Sequence, residues 1–292
     1  MYWADWPGMM GVCYFKKGCQ WMRPKVIATD LDGTFLDENG HYSQHRFDAQ
    51  LAALARREMR FVVTTGDPLD HVQALFAPLA NRATLTYIVE DGALTVTGTG
   101  EQLQSQAIAP QDWQAAVTWL KTAPIMADCF VIVCGRDRAY TELPATSQRF
   151  HESQAFYPSL TSVSNLLQVT DAILKIDVTW LKTDVVAQVA AFNQHFQNHL
   201  VGTSSGLGGM NVTLPLVSKA TALLALGRIW GVLPEQMAAF GDSGNDHAML
   251  EMVGQGFAVA NADPAIITGN IQRLPANNQL GAVGQQIDQW LV

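Results

Sequence analysis

The chain has 292 residues, of which 48% are hydrophobic and 15% are charged, a composition typical of a globular protein and unlike that of a disordered chain. Its net charge of −8 argues against nucleic acid or an anionic membrane surface as the main partner. The most apolar segment, residues 214–233, contains Lys219 and Arg228, so it predicts a buried helix rather than a membrane span.

The N-terminal segment and the cysteines give no sign of export. Residues 1–21 hold three of the eight tryptophans, show no regular period and lack a signal-peptide pattern, so we interpret them as an N-terminal extension, with a removed targeting segment as the weaker alternative. The cysteines at positions 13, 19, 129 and 134 form no CxxC pair, which predicts neither a zinc site nor a disulfide. The cysteine pattern favours a reducing cytoplasm.

From residue 22 to 105, predicted strands and helices alternate. The elements are strand 25–30, helix 45–58, strand 61–65, helix 68–77 and strand 87–89. This order predicts a parallel sheet covered by helices.

Residues 106–213 have a different pattern, in which strands cluster with fewer helices between them. The predicted elements are helix 110–123, strands 128–134 and 171–180, helix 184–196, and strands near 199–204 and 210–214. Because the whole chain exceeds the usual size of one domain, we expect an inserted α+β domain with an open sheet.

From residue 214 to 292 the alternation returns. The predicted elements are helix 218–231, strand 237–241, helix 244–253, strand 256–260 and helix 281–291. The predicted fold class is therefore α/β, with a Rossmann-like doubly wound parallel sheet built from residues 22–105 and 214–292 and interrupted by the insertion at 106–213.

Two aspartates, Asp30 and Asp32, end the first apolar run. On an extended backbone they face the same way, and open α/β sheets bind ligands at the carboxyl ends of their strands. Two carboxylates repel each other there unless a cation lies between them, and a hard cation such as Mg²⁺ prefers oxygen ligands. Taken alone, the stretch is equally typical of a turn that Gly33 tightens.

A second acidic loop favours a functional site over a simple turn. Asp242 and Asp246 again follow a predicted strand and precede a helix. If the two strands are neighbours, Asp242 stands at the same sheet edge as Asp30. Two such loops favour a functional site over two unrelated turns.

Four motifs, in this order, resemble those of the haloacid dehalogenase (HAD) superfamily. They are Asp30-Leu31-Asp32-Gly33-Thr34, Thr65-Gly66, Lys219, and Gly241-Asp242-Ser243-Gly244-Asn245-Asp246. The stretches LDENGHYS, VSKATALLALGRIWGV and NDHAML are similar to those of its Cof-like phosphatase subgroup. The long interval between Thr65 and Lys219 places the insertion between the second and third motifs, which in this superfamily implies a type C2 cap. Its strand-rich pattern indicates the C2B form.

The resemblance implies a phosphatase mechanism centred on the aspartates. Asp30 would be the nucleophile that forms a phosphoaspartate, and Asp32 would act as general acid and then as general base. Mg²⁺ would be held by Asp30, Asp242 and the backbone carbonyl of Asp32.

The resemblance also assigns roles around the phosphoryl group. Thr65 and Gly66 would bind its oxygens, and Lys219 would add a fixed positive charge. Asn245, a further substrate contact, and Asp246 would orient Lys219 and a metal-bound water. A purely structural lysine at a helix start is the simpler reading, but a cation is unfavourable there unless an anion is near.

Two positions depart from the subgroup. Asp67-Pro68 stands where an arginine usually follows Thr-Gly, and Glu90-Asp91-Gly92 stands where Asn-Gly is usual. Asp67 and Pro68 are typical of a helix N-cap and first turn, which explains them locally. The missing positive charge favours a substrate that carries a cationic group.

Three other patterns are not interpreted as sites. Residues 202–206 match GxSxG, but no helix is predicted after the serine, so we expect a loop of the inserted domain. The pairs His41/His45 and His195/His199 have helical spacing, yet no third ligand is evident, so zinc is not predicted.

The sequence thus predicts a cytoplasmic, Mg²⁺-dependent phosphatase of a small phosphorylated metabolite, with neither nucleic acid nor membrane as partner, in a monomer or homodimer. Sugar phosphates and phosphorylated cofactors are the expected substrates. A phosphohexose mutase of the same superfamily and a non-catalytic protein that binds a phosphorylated ligand are the alternatives. Substrate choice is expected in the inserted domain, with these candidate contacts: Trp113, Trp119, Arg136 and the stretch from Cys129 to Cys134.

Overall fold

The computed structural model describes residues 23–181, 184–197, 199–206 and 208–292, so the predicted N-terminal extension lies outside the described residues. The described strands form two sheets, one of eight and one of six strands. Within these ranges, no helix is long and apolar enough to cross a membrane.

The first part of the chain starts the larger sheet. Its elements are β1 (Val26–Thr29), α1 (Gln44–Ala55), β2 (Arg60–Thr64), α2 (Leu69–Phe76), β3 (Leu85–Val89), β4 (Leu94–Thr97) and β5 (Gln102–Ser105). Strands β1, β2 and β3 are parallel, whereas β4 and β5 form an antiparallel edge that was not predicted.

The middle of the chain forms the six-stranded sheet, and we call residues 106–213 the inserted unit. Its elements are α3 (Pro110–Thr122), β6 (Phe130–Gly135), β7 (Ala139–Thr141), α4 (Gln148–Ser153), β8 (Thr161–Ser162), β9 (Ile173–Thr179), α5 (Val186–Phe196), β10 (Val201–Gly206) and β11 (Gly209–Thr213). The sheet order is β10-β11-β9-β6-β7-β8. The GxSxG stretch is not a loop as predicted, because it lies in β10 and pairs with β11.

The last part of the chain returns to the larger sheet. Its elements are α6 (Lys219–Trp230), β12 (Met237–Gly241), α7 (His247–Met252), β13 (Gln255–Ala258), β14 (Gln272–Arg273) and α8 (Ala282–Leu291). The sheet order is β14-β13-β12-β1-β2-β3-β4-β5, with parallel pairing from β14 to β3. All residues of β1, β3 and β12 are buried, as expected for strands covered on both faces. The predicted α/β fold with a parallel sheet is confirmed.

One predicted helix start is wrong. Asp67 does not cap α2; the N-cap residue is Pro68, with an extended backbone at φ −73° and ψ 156° and no side-chain capping bond. The helix begins at Leu69, so Asp67 belongs to the loop between β2 and α2, and its carboxylate is left for other contacts.

Candidate active site

The carboxyl ends of β1 and β12 meet inside the larger sheet. These strands are parallel neighbours with Thr29 opposite Phe240, and the Asp30 amide donates to the Phe240 carbonyl oxygen at 3.0 Å. Asp30 follows β1 directly and Asp242 follows β12 directly. The carboxylates of Asp30 and Asp242 therefore lie side by side at the carboxyl ends of two neighbouring buried strands.

Lys219 joins the two acidic loops. It is the first residue of α6, and its side chain is 2% exposed. Its Nζ donates to Asp30 Oδ1 at 2.5 Å and to Asp246 Oδ1 at 2.8 Å. The other oxygen of Asp246 accepts from the backbone amides of Asp242 and Ser243 at 3.0 and 3.2 Å. The cation at the helix start is thus compensated by two anions.

The loop after β1 requires glycine at position 33. Gly33 has a φ of +75°, in the left-handed region, and a Cβ atom there would lie 2.5 Å from Asp242 Oδ2. The next residue, Thr34, donates through Oγ1 to Asp242 Oδ1 at 2.9 Å. The Asp242 carboxylate therefore packs directly on the bare backbone of Gly33.

We expect Gly33→Ala to displace Asp242 and to lower the free energy of unfolding by about 1–3 kcal/mol, because backbone strain adds to the clash. Thermal unfolding measures the loss. Gly40→Ala is a matched control, since Gly40 has a φ of +73° but no atom within 4 Å of the added Cβ. Equal losses in both variants would contradict a role for the contact with Asp242.

The carboxylates of this site do not ionise easily together. Burial, followed by repulsion from Asp246, raises the pKa of Asp30 well above its ordinary value, although Lys219 opposes the shift. Burial also raises the pKa of Asp242, against the hydrogen bond from Thr34. Burial alone would lower the pKa of Lys219, but Asp246 and Asp30 outweigh it and hold that pKa above its ordinary value. One lysine leaves the cluster with excess negative charge.

The cluster fits a hard cation. Ligand oxygens of Asp30, Asp242 and Asp246 all lie within 4.8 Å of one another, and among the residues the structure describes this is the one such group of three. Oxygen donors with surplus negative charge suit a divalent cation. Because Lys219 and two backbone amides already hold Asp246, the carboxylates of Asp30 and Asp242 are the freer ligands.

Asp32 is not one of the three clustered carboxylates. It is exposed, and Asp67 and His71 face it from the loop and helix after β2. Partial desolvation, followed by repulsion from Asp67, raises the pKa of Asp32, while His71 opposes the shift. A raised pKa makes the carboxyl a better proton carrier near neutral pH.

Thr65 and Gly66 form the turn after β2. Thr65 is buried, its amide donates to the Ile88 carbonyl oxygen at 2.9 Å, and its Oγ1 accepts from the Asp67 amide at 3.1 Å. Because β2 is the parallel neighbour of β1, this turn lies beside Asp30 at the same edge of the sheet.

The turn after β3 meets the inserted unit. Glu90 and Asp91 have φ of 50° and 56°, a conformation uncommon outside glycine. Glu90 is 2% exposed, and its Oε2 lies 2.9 Å from Nζ of Lys175 in β9. Asn211 of β11 donates to Asp91 Oδ2 at 2.9 Å. The face of the six-stranded sheet that carries Lys175 and Asn211 therefore covers these loops.

Glu90 makes stability depend on pH. Burial raises the pKa of Glu90 to about 7 from 4.5, although Lys175 opposes the shift. Between these values the folded state keeps a proton that the unfolded state releases, so stability falls as pH rises. In the wild type, this proton accounts for a decrease of about 3 kcal/mol in the free energy of unfolding as the pH rises, and we expect Glu90→Gln to abolish that decrease.

Urea unfolding at pH values below and above that window measures the slope, the change in the free energy of unfolding with pH. Glu101→Gln, at an exposed position, is the control and should keep the wild-type slope. The slope is compared rather than the absolute stability, because Glu90→Gln also removes the carboxyl group beside Lys175 and so changes stability for a second reason. An unchanged slope in Glu90→Gln would contradict the raised pKa.

One predicted site residue, Asn245, has a different neighbour from the one expected. Asn245 donates to Asp91 Oδ1 at 3.4 Å, while the orienting partner of Lys219 is Asp246. Among the candidates in the inserted unit, Trp113 is a core residue at 1% exposure.

Two residues that reach the turn after β3, Lys175 and Asn211, were not predicted from the sequence. Thr34 was named as part of the first motif, but its bond to Asp242 was not predicted. Lys175 had a detectable signal, since it is a lone cation within a buried strand, ILKIDVT.

Comparisons with known proteins agree with this geometry. The model of the haloacid dehalogenase-like hydrolase family matches residues 27–287. The 5-amino-6-(5-phospho-D-ribitylamino)uracil phosphatase YbjI of Escherichia coli K12 is 29% identical over 263 residues, covering 90% of this chain and 94% of the relative. The HMP-PP phosphatase of Citrobacter koseri is 27% identical over 279 residues, covering 91% and 96%.

A solved structure has the same fold. SMU.1108c from Streptococcus mutans UA159 superposes with a TM-score of 0.83 at 27% identity, covering 92% of this chain and 99% of that one. The predicted family and the predicted class of enzyme, a phosphoric monoester hydrolase, are confirmed. The chain belongs to the haloacid dehalogenase-like hydrolase family.

Proposed function

We propose that this chain is a Mg²⁺-dependent phosphatase that hydrolyses a small phosphorylated metabolite through a phosphoaspartate on Asp30. The observation that carries the proposal is the meeting of Asp30, Asp242 and Lys219 at the carboxyl end of a parallel sheet. A surplus of carboxylates beside a fixed ammonium suits a cation and a phosphoryl group together.

Asp30 is the proposed nucleophile. One of its oxygens bonds to phosphorus as the bond from phosphorus to the leaving oxygen breaks, and water then cleaves the phosphoaspartate and restores the carboxylate. Lys219 holds Asp30 Oδ1 and so fixes the orientation of the carboxylate. Its charge also offsets the repulsion between carboxylate and phosphate.

Asp32 is the proposed acid and base. Its raised pKa lets the carboxyl give a proton to the leaving oxygen and later take one from the attacking water. The hydroxyl of Thr65 and the amide of Gly66 are the proposed contacts for phosphoryl oxygens, together with Asn245 and Lys219.

Asp30, Asp242 and the backbone carbonyl of Asp32 are the proposed ligands of Mg²⁺. The bound ion supplies positive charge that allows two anions to approach each other. Asp246 is proposed to act by holding Lys219, because its oxygens are already engaged with that lysine and with backbone amides.

The substrate proposed first is a phosphorylated polyol joined to an aminopyrimidine. The Escherichia coli relative is named for such a compound, 5-amino-6-(5-phospho-D-ribitylamino)uracil. In this chain Asp32 lies near Asp67 beside the candidate site. Carboxylates are acceptors for hydroxyl and amino groups and repel a second anionic group. Sugar phosphates and pyridoxal phosphate come next.

Release of inorganic phosphate tests the proposal. The panel contains 5-amino-6-(5-phospho-D-ribitylamino)uracil, sugar phosphates, nucleotides and pyridoxal phosphate, each assayed with Mg²⁺ and with EDTA. We expect Mg²⁺-dependent release, fastest with the first compound. Transfer of phosphate within the substrate without release would instead establish a mutase, and binding without either reaction would establish a non-catalytic protein.

A further inference from the structure

A buried lysine of the inserted unit lies among groups of the larger sheet. Lys175 stands in the middle of β9, and its side chain is 3% exposed. Its Nζ donates to the Gly66 carbonyl oxygen at 2.5 Å and lies 2.9 Å from Glu90 Oε2 and 3.9 Å from Asp91 Oδ2. An ammonium is costly to bury unless such partners compensate it, so these contacts favour one placement of the inserted unit over the loops.

Lys175 completes a set of three consecutive bonds to the turn after β2. The carbonyl oxygens of residues 65, 66 and 67 accept, in that order, from the Asp91 amide at 3.1 Å, Lys175 Nζ at 2.5 Å and the Glu90 amide at 3.1 Å. The outer two donors come from the neighbouring turn of the same sheet. The middle donor alone comes from the inserted unit.

The middle bond reaches a proposed substrate contact through one rigid group. The carbonyl of Gly66 and the amide of Asp67 belong to the same peptide unit, which is planar. That amide donates to Thr65 Oγ1 at 3.1 Å. A bond that fixes the Gly66 carbonyl therefore also fixes the Asp67 amide, which donates to Thr65 Oγ1. Because Oγ1 accepts this bond, the hydroxyl proton of Thr65 is directed away from the peptide and can point towards an incoming oxygen.

We propose that Lys175 is a positioning residue of the phosphatase reaction, which orients the Thr65 hydroxyl through the Gly66–Asp67 peptide while the inserted unit covers the site. This inference rests on the proposed function, in which Thr65 binds the phosphoryl group. On this inference, the turn that binds phosphate has all three of its carbonyl bonds only when the inserted unit is in place. Glu90 Oε2 and Asp91 Oδ2, 2.9 and 3.9 Å from Lys175 Nζ, are the carboxyl oxygens that surround the buried ammonium.

The test uses a variant without either buried charge. Lys175→Met alone leaves Glu90 buried without its cation, which can unfold the protein. The double variant Lys175→Met/Glu90→Gln avoids this. We expect its kcat for phosphate release to fall about a hundredfold, the effect of a small misplacement near the reacting group. Lys175→Arg, which keeps the charge, should recover part of the loss.

Coupling to Thr65 separates positioning from a general structural effect. If Lys175 acts through Thr65, then Thr65→Val should cost much less in the double variant than in the wild type. Lys121→Met/Glu142→Gln removes an exposed ion pair of the inserted unit, with Nζ and Oε2 2.7 Å apart, and should leave kcat and its response to Thr65→Val unchanged. Additive losses for Lys175 and Thr65 would overturn the inference.

Amide hydrogen exchange tests the same contact without any turnover. We expect faster exchange at residues 65–67 in Lys175→Met/Glu90→Gln, with little change in α3 or α8. Unchanged exchange at the turn would overturn the inference even if the enzyme is active. Faster exchange in a protein that releases no phosphate would support the contact and reject the proposed function instead.

Discussion

Replacing Asp30 with asparagine is expected to abolish phosphate release, lowering kcat by a factor of about 10⁴ or more. An amide oxygen does not replace a carboxylate in the proposed role of Asp30, the nucleophile that would form a phosphoaspartate. The fold should persist, because the asparagine oxygen still accepts the hydrogen bond from Lys219 Nζ. Phosphate release under saturating substrate and Mg²⁺ gives the effect directly.

The Asp30→Asn variant is also expected to keep its stability, whereas a misfolded variant would lose it. Burial and Asp246 raise the pKa of Asp30, which means that its charged form is unfavourable in the folded protein. Removing the charge should therefore leave the melting temperature in the absence of Mg²⁺ unchanged or higher. Asp137→Asn, at an exposed position whose carboxylate lies 3.2 Å from Nε of the adjacent Arg136, is the matched control for both measurements. An inactive Asp30→Asn protein with a much lower melting temperature would point to misfolding.

Much of the larger sheet was predictable because its strands are buried on both faces. The apolar runs of β1, β2, β3 and β12 stand out for that reason, and the acidic loops follow two of them directly. Strands at the edges lack this signal. The segment of β5, QLQS, is largely polar and only partly buried, and β14 has two residues. Neither was predicted.

The contacts between the inserted unit and the larger sheet were not predictable for a different reason. Period-two alternation places Lys175 and Asp177 on one face of β9, but it does not say which loop that face will meet. The bond from Lys175 to Gly66 joins residues far apart in the chain and depends on how two separately folded sheets pack. Sequence patterns describe one element at a time. The aspartates of the candidate site were therefore identifiable, whereas the part of the inserted unit that covers them was not.

Replacing Lys219 with methionine is expected to lower both activity and stability. The variant loses the positive charge next to the proposed phosphoryl position, which we expect to reduce kcat about 10³-fold. It also leaves Asp30 and the fully buried Asp246 without their cation, and breaking a buried pair in this way costs about 3–5 kcal/mol of unfolding free energy near neutral pH. Phosphate release and urea unfolding measure the two effects.

The pH dependence of that stability loss distinguishes charge from packing. Without Lys219, the pKa of Asp30 rises further above its unfolded value, so the folded variant binds more protons than the unfolded chain. Its deficit relative to wild type should therefore be largest at neutral pH and shrink as the pH falls. Added Mg²⁺ should stabilise the variant, because the remaining carboxylates still offer oxygen ligands. Lys121→Met, an exposed control, should show neither response. A deficit independent of pH and Mg²⁺ would mean that Lys219 acts by filling space.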